Sequence, residues 1–498
     1  MHRILPTHRA PLFDQAATRR IEAATAALLP PHTLMQRAGE ATARLARALA
    51  PHARRIWIAC GAGNNGGDGL EAAMRLHCHG ARVAVTWLGQ PERLPEDARR
   101  SWQRARDAGV AFAEAPPALG PGDLCIDALL GLGLGSTPRT PDARLRACLD
   151  ALHASPAPVL AVDLPSGLLA DTGQYAPGLA PGLAPSGAPR SVRHTLSLLT
   201  LKPALFTGAG RDAAGSVWFD GLGVAPGAEP PCAWLPGEPL SMPRAHASHK
   251  GSYGDVAVVG GSAGMAGAAL LAASAALHGG AGRVFAALLD GGLPLDTTQP
   301  ELMLRSFEAL DLAQSTVVCG CGGGNAVRGV LPQVLEHAPR LVLDADALNA
   351  VAADAALQHQ LAGRAARGHG TVLTPHPLEA ARLLGMGTPE VQAGRLQAAQ
   401  ALAGRFGCVA VLKGSGSVIA APGRTSTINP TGNARLATAG TGDVLAGLTG
   451  AHWASGADAF DAACHACWEH GRAADEWPAG HALTASALAR RLRGPSAA

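Results

Sequence analysis

The residues best placed by type and spacing to do chemistry are Asn429-Pro430-Thr431-Gly432-Asn433 and, a few positions on, Ala439-Gly440-Thr441-Gly442-Asp443-Val444-Leu445-Ala446-Gly447. Gly440 to Asp443 is expected to open a helix that is small and apolar on most of its faces. Free backbone N–H groups and the positive end of the helix dipole then converge on one point, with Asp443 beside it. Such a point can neutralise charge on a transferring phosphoryl group while the carboxylate takes the proton of an attacking hydroxyl. A bare helix cap is the plainer use of Asp443. Upstream, Leu373-Thr374-Pro375-His376-Pro377-Leu378-Glu379 holds a histidine between two prolines, in a rigid extended loop that suits a group pointing at a ligand. Val411-Leu412-Lys413-Gly414-Ser415-Gly416-Ser417 ends a predicted strand with a lysine and small residues, a cradle for nucleotide phosphates. Gly260-Gly261-Ser262-Ala263-Gly264 and Leu343-Asp344-Ala345-Asp346 end two further strands.

The first half of the chain has its own set. Gly61-Ala62-Gly63-Asn64-Asn65-Gly66-Gly67-Asp68-Gly69 follows an apolar run ending at Cys60 and leads into a helical pattern from Leu70 to His79. A glycine-rich strand-to-helix turn lets backbone N–H groups approach a phosphate, though a tight turn needs the same glycines. The two asparagines and the aspartate can coordinate a cation or hydrogen-bond a sugar or amide. Asp127 and Asp163 interrupt apolar runs at two more strand ends, in Asp127-Ala128-Leu129-Leu130-Gly131-Leu132-Gly133-Leu134 and Val162-Asp163-Leu164-Pro165-Ser166-Gly167. An unpaired carboxylate is costly to bury there; a loop-bracing hydrogen bond is the alternative reading.

These sites need strands to carry them. Short apolar runs alternate with helical patterns on both sides of a proline-rich stretch, the signature of strands feeding helices across a parallel sheet. In the first half the predicted strands are Ile56 to Cys60, Val83 to Leu88, Leu124 to Leu130, Val159 to Leu164 and Thr195 to Leu198. In the second they are Asp255 to Val259, Arg283 to Ala287, Thr316 to Cys319, Leu341 to Asp344, Thr371 to Leu373 and Val409 to Leu412. The expected fold class is α/β, with two three-layer αβα domains, residues 1–225 and 248–498, joined by a Pro-rich linker at 226–247. Ligands of such sheets bind outside the carboxyl ends of the strands. A second irregular stretch, Pro177 to Pro189, reads as a loop insertion.

At 498 residues the chain exceeds the size of one growing core, so two or three domains are expected. A charged fraction of 16% and a net charge of +3 do not point to nucleic acid or an anionic membrane as partner. The ten cysteines are scattered. The one close pair, Cys464 and Cys467, has no second pair at zinc-site spacing and lies in a predicted buried helix, so a structural zinc is not expected. Unpaired thiols, no apolar stretch of signal-peptide length near Met1 and no charge-free run long enough to span a bilayer lead us to expect a cytoplasmic protein.

The first half, from about Ala17 to Gly223, resembles the NAD(P)H-hydrate epimerase domain, Rossmann-like in fold, with Met35-Gln36-Arg37-Ala38-Gly39 and the Asn64-Asn65 turn as matching elements. The resemblance implies that Asn65, Asp127 and Ser166 hold a potassium ion. It implies that Asn64, Asn65, Gly66, Gly67 and Asp68, the stretch Gly131, Leu132, Gly133, Leu134 and Gly135 running on to Pro138, and Asp163 contact the hydrated nicotinamide nucleotide, with Asp163 the catalytic acid or base at C6. Where the family has a short connection with an acidic residue, this chain has the Pro177–Pro189 insertion and then Arg193-His194; Lys202-Pro203 follows as expected.

From Ser248 to Leu492 the chain resembles the NAD(P)H-hydrate dehydratase branch of the ribokinase-like fold, through Lys250-Gly251, Thr374-Pro375-His376-Pro377, Asn429 to Asn433 and Gly440 to Asp443. By that resemblance Lys413, Gly414, Ser415, Gly416, Ser417 and Gly442 bind the adenine nucleotide, while Ala268, Gly322, His376 and Asp443 contact the hydrate. Asp443 is then the catalytic base, ADP the co-substrate, and magnesium bridges the phosphates. Gly320-Cys321-Gly322-Gly323 departs from a family pattern that commonly has proline second. The expected function is therefore repair of hydrated NADH and NADPH by a bifunctional isomerase and lyase, a homo-oligomer that handles small nucleotides. Two other readings stand beside it: a ribokinase-type kinase for a vitamin precursor, and a non-catalytic N-terminal binding module.

Overall fold

Continuous apolar runs, rather than alternating ones, mark strands covered on both faces, and every residue of Ile56–Cys60, Leu124–Ala128, Thr316–Cys319 and Val409–Leu412 is buried. The computed structural model describes residues 1–135, 140–182, 191–240, 244–290 and 295–492. Residues 183–189 of the insertion, positions 136–138 beyond Gly135 and part of the Pro-rich stretch, 241–243, lie outside them.

The chain divides into two units, one made of Met1–Leu5 with Ala10–Ala233, the other of Pro6–Arg9 with the residues from Trp234 onward. In the first, the sheet order is His2–Arg3, Ser216–Asp220, Arg193–Leu198, Val159–Val162, Leu124–Ala128, Ile56–Cys60, Val83–Trp87, Ala111–Ala113. All neighbours are parallel except the edge pair His2–Arg3 with Ser216–Asp220. In the second, Met303–Leu304, Arg283–Leu288, Asp255–Gly260, Thr316–Cys319, Arg340–Leu343, Gly370–Leu373 and Val409–Leu412 run parallel in that order. An antiparallel hairpin, Val418–Ala421 and Arg424–Ile428, continues the sheet, with Ala233–Pro236 next to it. The Pro-rich stretch thus contains a strand, tolerated because its one proline is the last residue.

Helices close both faces. In the second unit, helices Ala266–His278 and Thr441–Ala454 meet so closely that a Cβ on Gly447 would lie 1.9 Å from the Ala272 carbonyl oxygen. The small residues that make Thr441–Ala454 look featureless are therefore what lets it sit deep against the sheet. Among the described residues no helix is long and apolar enough to cross a membrane.

Candidate active sites

Three neighbouring parallel strands of the first unit end in the three polar motifs. Ala59 pairs with Asp127 and Asp127 with Ala161, two residues before Asp163. The helix Asn64–Cys78 starts directly after the first strand, and its glycines serve packing: a Cβ on Gly66 would lie 2.0 Å from the Gly61 carbonyl oxygen, and one on Gly69 2.6 Å from Ala128 Cβ. A cavity of about 670 Å³ opens above these strand ends, lined by Glu22, Asn64, Asn65, Asp68, Gly131 to Leu134 and Asp163.

Asp127 is buried. Ser166 Oγ donates to its Oδ1 at 2.5 Å and Ser166 N to its Oδ2 at 2.8 Å, while Leu130 N donates to Ser166 Oγ at 2.9 Å. Burial pushes the Asp127 carboxyl up, and the Ser166 hydrogen bonds partly offset it. Asn65 packs under Gly131, where a Cβ would lie 3.1 Å from its Cγ, and its Nδ2 is buried without a hydrogen-bond partner. An amide end with no partner, which a half-turn about χ2 would replace by its oxygen, together with the Asp127 carboxylate and the Ser166 hydroxyl, is an all-oxygen donor set that fits a hard cation such as potassium.

Asp163 has a left-handed backbone, φ 65°, uncommon outside glycine. Its Oδ1 accepts from the Lys202 ammonium, which is completely buried, and from Leu198 N at 3.1 Å; Lys202 Nζ also donates to the Leu198 carbonyl at 2.7 Å. Asp68 carries no such cation. Burial first, then the charges of Asp163, Glu22 and Glu71, hold its carboxyl well above the usual range. Glu22, on the helix Gln15–Ala26, is raised by burial and by Asp163. Of the five described non-glycine residues with positive φ, four, His32, Asp163, Leu199 and Leu222, line this cavity, and the fifth, Ala345, follows Asp344 in the other unit.

In the second unit, Thr316–Cys319, Arg340–Leu343, Gly370–Leu373 and Val409–Leu412 lie side by side and end in Cys321, Asp344, the Thr374–His376 loop and Lys413. Gly440 takes φ 87° and starts the helix Thr441–Ala454, with Asp443 in its first turn. Thr441 Oγ1 ties that turn down, donating to the Leu436 and Thr438 carbonyls at 2.8 and 2.9 Å. Lys413 Nζ lies under the same turn, 3.3 Å from where a Cβ on Gly442 would stand, and pairs with Asp344 Oδ1 at 2.7 Å. Burial works against the Lys413 charge, but Asp344 and Glu379 outweigh it and raise the ammonium. Asp443 is pushed up to about 6 by burial and by Asp344, against a hydrogen bond donated by the Cys321 thiol.

His376 caps the helix Pro377–Leu384 through Nδ1, which accepts from Leu378 N and Glu379 N, and its Nε2 lies 3.3 Å from Glu379 Oε1. Burial lowers the imidazole and raises the Glu379 carboxyl to about 7. Gly322, at φ 58°, approaches Ala268 closely; a Cβ there would come within 2.8 Å of Ala268 Cβ. Ser417 Oγ closes the loop after Lys413 by donating to the Gly414 carbonyl. Asn429, Thr431 and Asn433 hold a neighbouring helix. They brace helix Ala459–Asp475 by binding the carbonyls of Cys467, Trp468 and Ala474, with Gly432 N on Asp475.

Two family models match the chain, the YjeF-related protein N-terminus over residues 31–204 and NAD(P)H-hydrate dehydratase over residues 256–493. A bifunctional NAD(P)H-hydrate repair enzyme of Escherichia coli K12 is 38% identical over 91% of this chain and 87% of its own. This chain belongs to that family. An ADP-dependent (S)-NAD(P)H-hydrate dehydratase of Neisseria meningitidis is 45% identical over 50% of the chain and 86% of its own. The ADP/ATP-dependent NAD(P)H-hydrate dehydratase of Bacillus subtilis, solved with ATP and magnesium, is 32% identical over 51% of the chain and 92% of its own, with a TM-score of 0.43.

For a member of the bifunctional repair family, sequence reasoning passed over three groups at these sites. Lys202 was noted only as part of Lys202-Pro203, and nothing local says that it reaches Asp163. Glu22 reads as an ordinary helix-surface carboxylate. Glu379 stands in the capping-box position after His376, and that spacing was the available signal.

Proposed function

We propose that this chain repairs hydrated nicotinamide nucleotides in two steps. Its N-terminal domain (1–225) interconverts the R and S forms of NAD(P)H hydrate, and its C-terminal domain (248–498), beyond the linker at 226–247, dehydrates the S form with ADP, releasing AMP and phosphate. The observation that carries the reading is the pairing, in one chain similar over most of its length to bifunctional repair enzymes, of the Asp163–Lys202 cavity with an Asp443 carboxyl at a glycine-opened helix N-terminus.

In the first cavity two carboxyls are held differently. Asp163 faces the Lys202 ammonium and acts as base, while burial among acids favours the protonated form of Asp68. One carboxylate paired with an ammonium and one carboxyl buried among acids can share the acid and base roles needed to move protons at C6. Potassium held by Asn65, Asp127 and Ser166 would supply a fixed positive charge beside the substrate phosphates. In the second site Asp443 takes the proton of the C6 hydroxyl as its oxygen attacks the terminal phosphorus of ADP. The first-turn N–H groups and Lys413 face the charge that develops there. Breaking of the C6–O bond with loss of the C5 proton then restores the ring and frees phosphate. Magnesium finds no all-oxygen cage among the described residues here, since the one cluster of metal-ligating side chains includes a thiol, and we expect it to ride on the ADP phosphates. A homo-oligomer in the cytoplasm, without nucleic acid or membrane partners, completes the reading.

Mixed epimers of hydrated NADH, incubated with the protein, magnesium and ADP, with ATP in parallel, should all return to NADH by absorbance. Asp443→Asn should abolish the recovery. Accumulation of a stable phosphorylated product would point instead to a kinase.

A further inference from the structure

Cys321 is a buried thiol among the carboxylates of the second site. It lies at 0% exposure in the loop after Thr316–Cys319. Its Sγ, a carboxylate oxygen of Asp344 and one of Asp443 all lie within 4.8 Å of one another. No other such trio of histidine, cysteine or acidic side chains occurs among the described residues. Lys413 holds Asp344 Oδ1, and both Lys413 Nζ and Asp344 Oδ2 approach the place where a Cβ on Gly442 would stand, at 3.3 and 3.9 Å, so Oδ2 reaches the helix turn that carries Asp443.

We infer that Cys321, Asp344 and Asp443 form a binding site for a thiophilic divalent cation of the zinc class, which shuts off the dehydratase by capturing its base. A tetrahedral zinc with bonds of roughly 2.3 Å to sulfur and 2.0 Å to oxygen keeps its ligand atoms about 3.3–3.5 Å apart. The three atoms lie within 4.8 Å of one another, so closing by at most about 1.5 Å brings them to that spacing, and three protein ligands leave the fourth position of a tetrahedral ion for water or a phosphate oxygen. On binding, a zinc–sulfur bond forms, the thiol proton leaves to solvent, and no oxidant or reductant is needed. The sulfur selects the ion: magnesium prefers oxygen ligands throughout and gains nothing from a thiolate, whereas zinc gains most from it. Cys321 is thus a point where this chain acquires sensitivity to zinc.

Inhibition rests on the dehydratase reading proposed above, but binding does not, and the two are measured separately. Cobalt(II) added to the full-length protein should produce thiolate-to-metal charge-transfer absorption, competed away by zinc and lost in both Cys321→Ala and Cys321→Pro. All are made in a Cys78→Ser background, because Cys78 is exposed. In the magnesium and ADP assay, with each protein compared with its own zinc-free rate, zinc should inhibit the parent. The substituted proteins should need more than the roughly 10–100-fold increase in zinc that loss of an outer-shell partner costs a site. Unchanged cobalt absorption on replacing Cys321, or no absorption at all, overturns the site. Equal zinc sensitivity of parent and substituted proteins overturns its control of the enzyme. Absence of a zinc-free rate in the parent would instead overturn the dehydratase reading and leave the cobalt result to decide the site.

Discussion

The buried Lys202 ammonium is bound to the Asp163 carboxylate across 39 residues of sequence, and Asp163 is held for it in a left-handed backbone conformation. Conformations of that kind cost about 1–3 kcal/mol and persist only where the surroundings impose them. Lys202→Met should remove interconversion of the hydrate epimers, followed chromatographically without ADP. It should also lower unfolding stability in urea by about 3–5 kcal/mol, because an unpaired carboxylate is left inside.

Ser166→Ala removes the hydroxyl that donates to Asp127 and accepts from Leu130 N. The expected result is loss of the potassium dependence of epimerisation, read by exchanging potassium for a bulky organic cation. A destabilisation of about 1–3 kcal/mol should accompany it. Potassium dependence that survives in Ser166→Ala would remove Ser166 from the cation site.

Asp443 must be ionised to accept a proton, and burial and Asp344 place its carboxyl at about 6. The dehydratase rate at saturating ADP should therefore fall about tenfold per pH unit below that value and level off above it. Asp443→Asn should lose about 10²- to 10⁴-fold in kcat and the acid limb with it.

Glu379 gives the opposite kind of pH signature. Its folded carboxyl, at about 7, lies above the roughly 4.3 of an exposed glutamate, so between those values the folded state holds a proton that the unfolded state has released. Its contribution to stability is complete below about 4 and is lost as pH rises through 7. Scanning calorimetry across that range should show a shallower fall in Tm for Glu379→Gln than for the parent protein.

What sequence could reveal depended on whether partners are neighbours in the chain. The α/β class followed from apolar runs such as Ile56–Cys60 and Val409–Leu412, and the helix start at Gly440 to Asp443 was legible because all of it lies in one turn. The hairpin Val418–Ala421 and Arg424–Ile428 was missed because its second strand is polar in all but its last residue. Pairings such as Lys202 with Asp163, Lys413 with Asp344, or Cys321 with Asp443 join segments far apart in the chain and leave no local trace. Asn429 to Asn433 stands out in the sequence for its polar side chains, and which helix they hold is seen only in three dimensions.

Pro6–Arg9 belongs to the second unit, where Trp468 Nε1 donates to the Pro6 carbonyl at 3.1 Å and Arg9 stacks on Trp234 at 4.6 Å. The ribosome makes these four residues well before Trp234 and Trp468. At roughly 5–20 residues per second, they wait about twenty seconds to a minute and a half before Trp468 is made. During that wait the rest of the first unit can fold behind them. A polypeptide begun after Arg9, or one in which a bulky N-terminal fusion masks this segment, would complete its second unit without residues synthesised before nearly everything else.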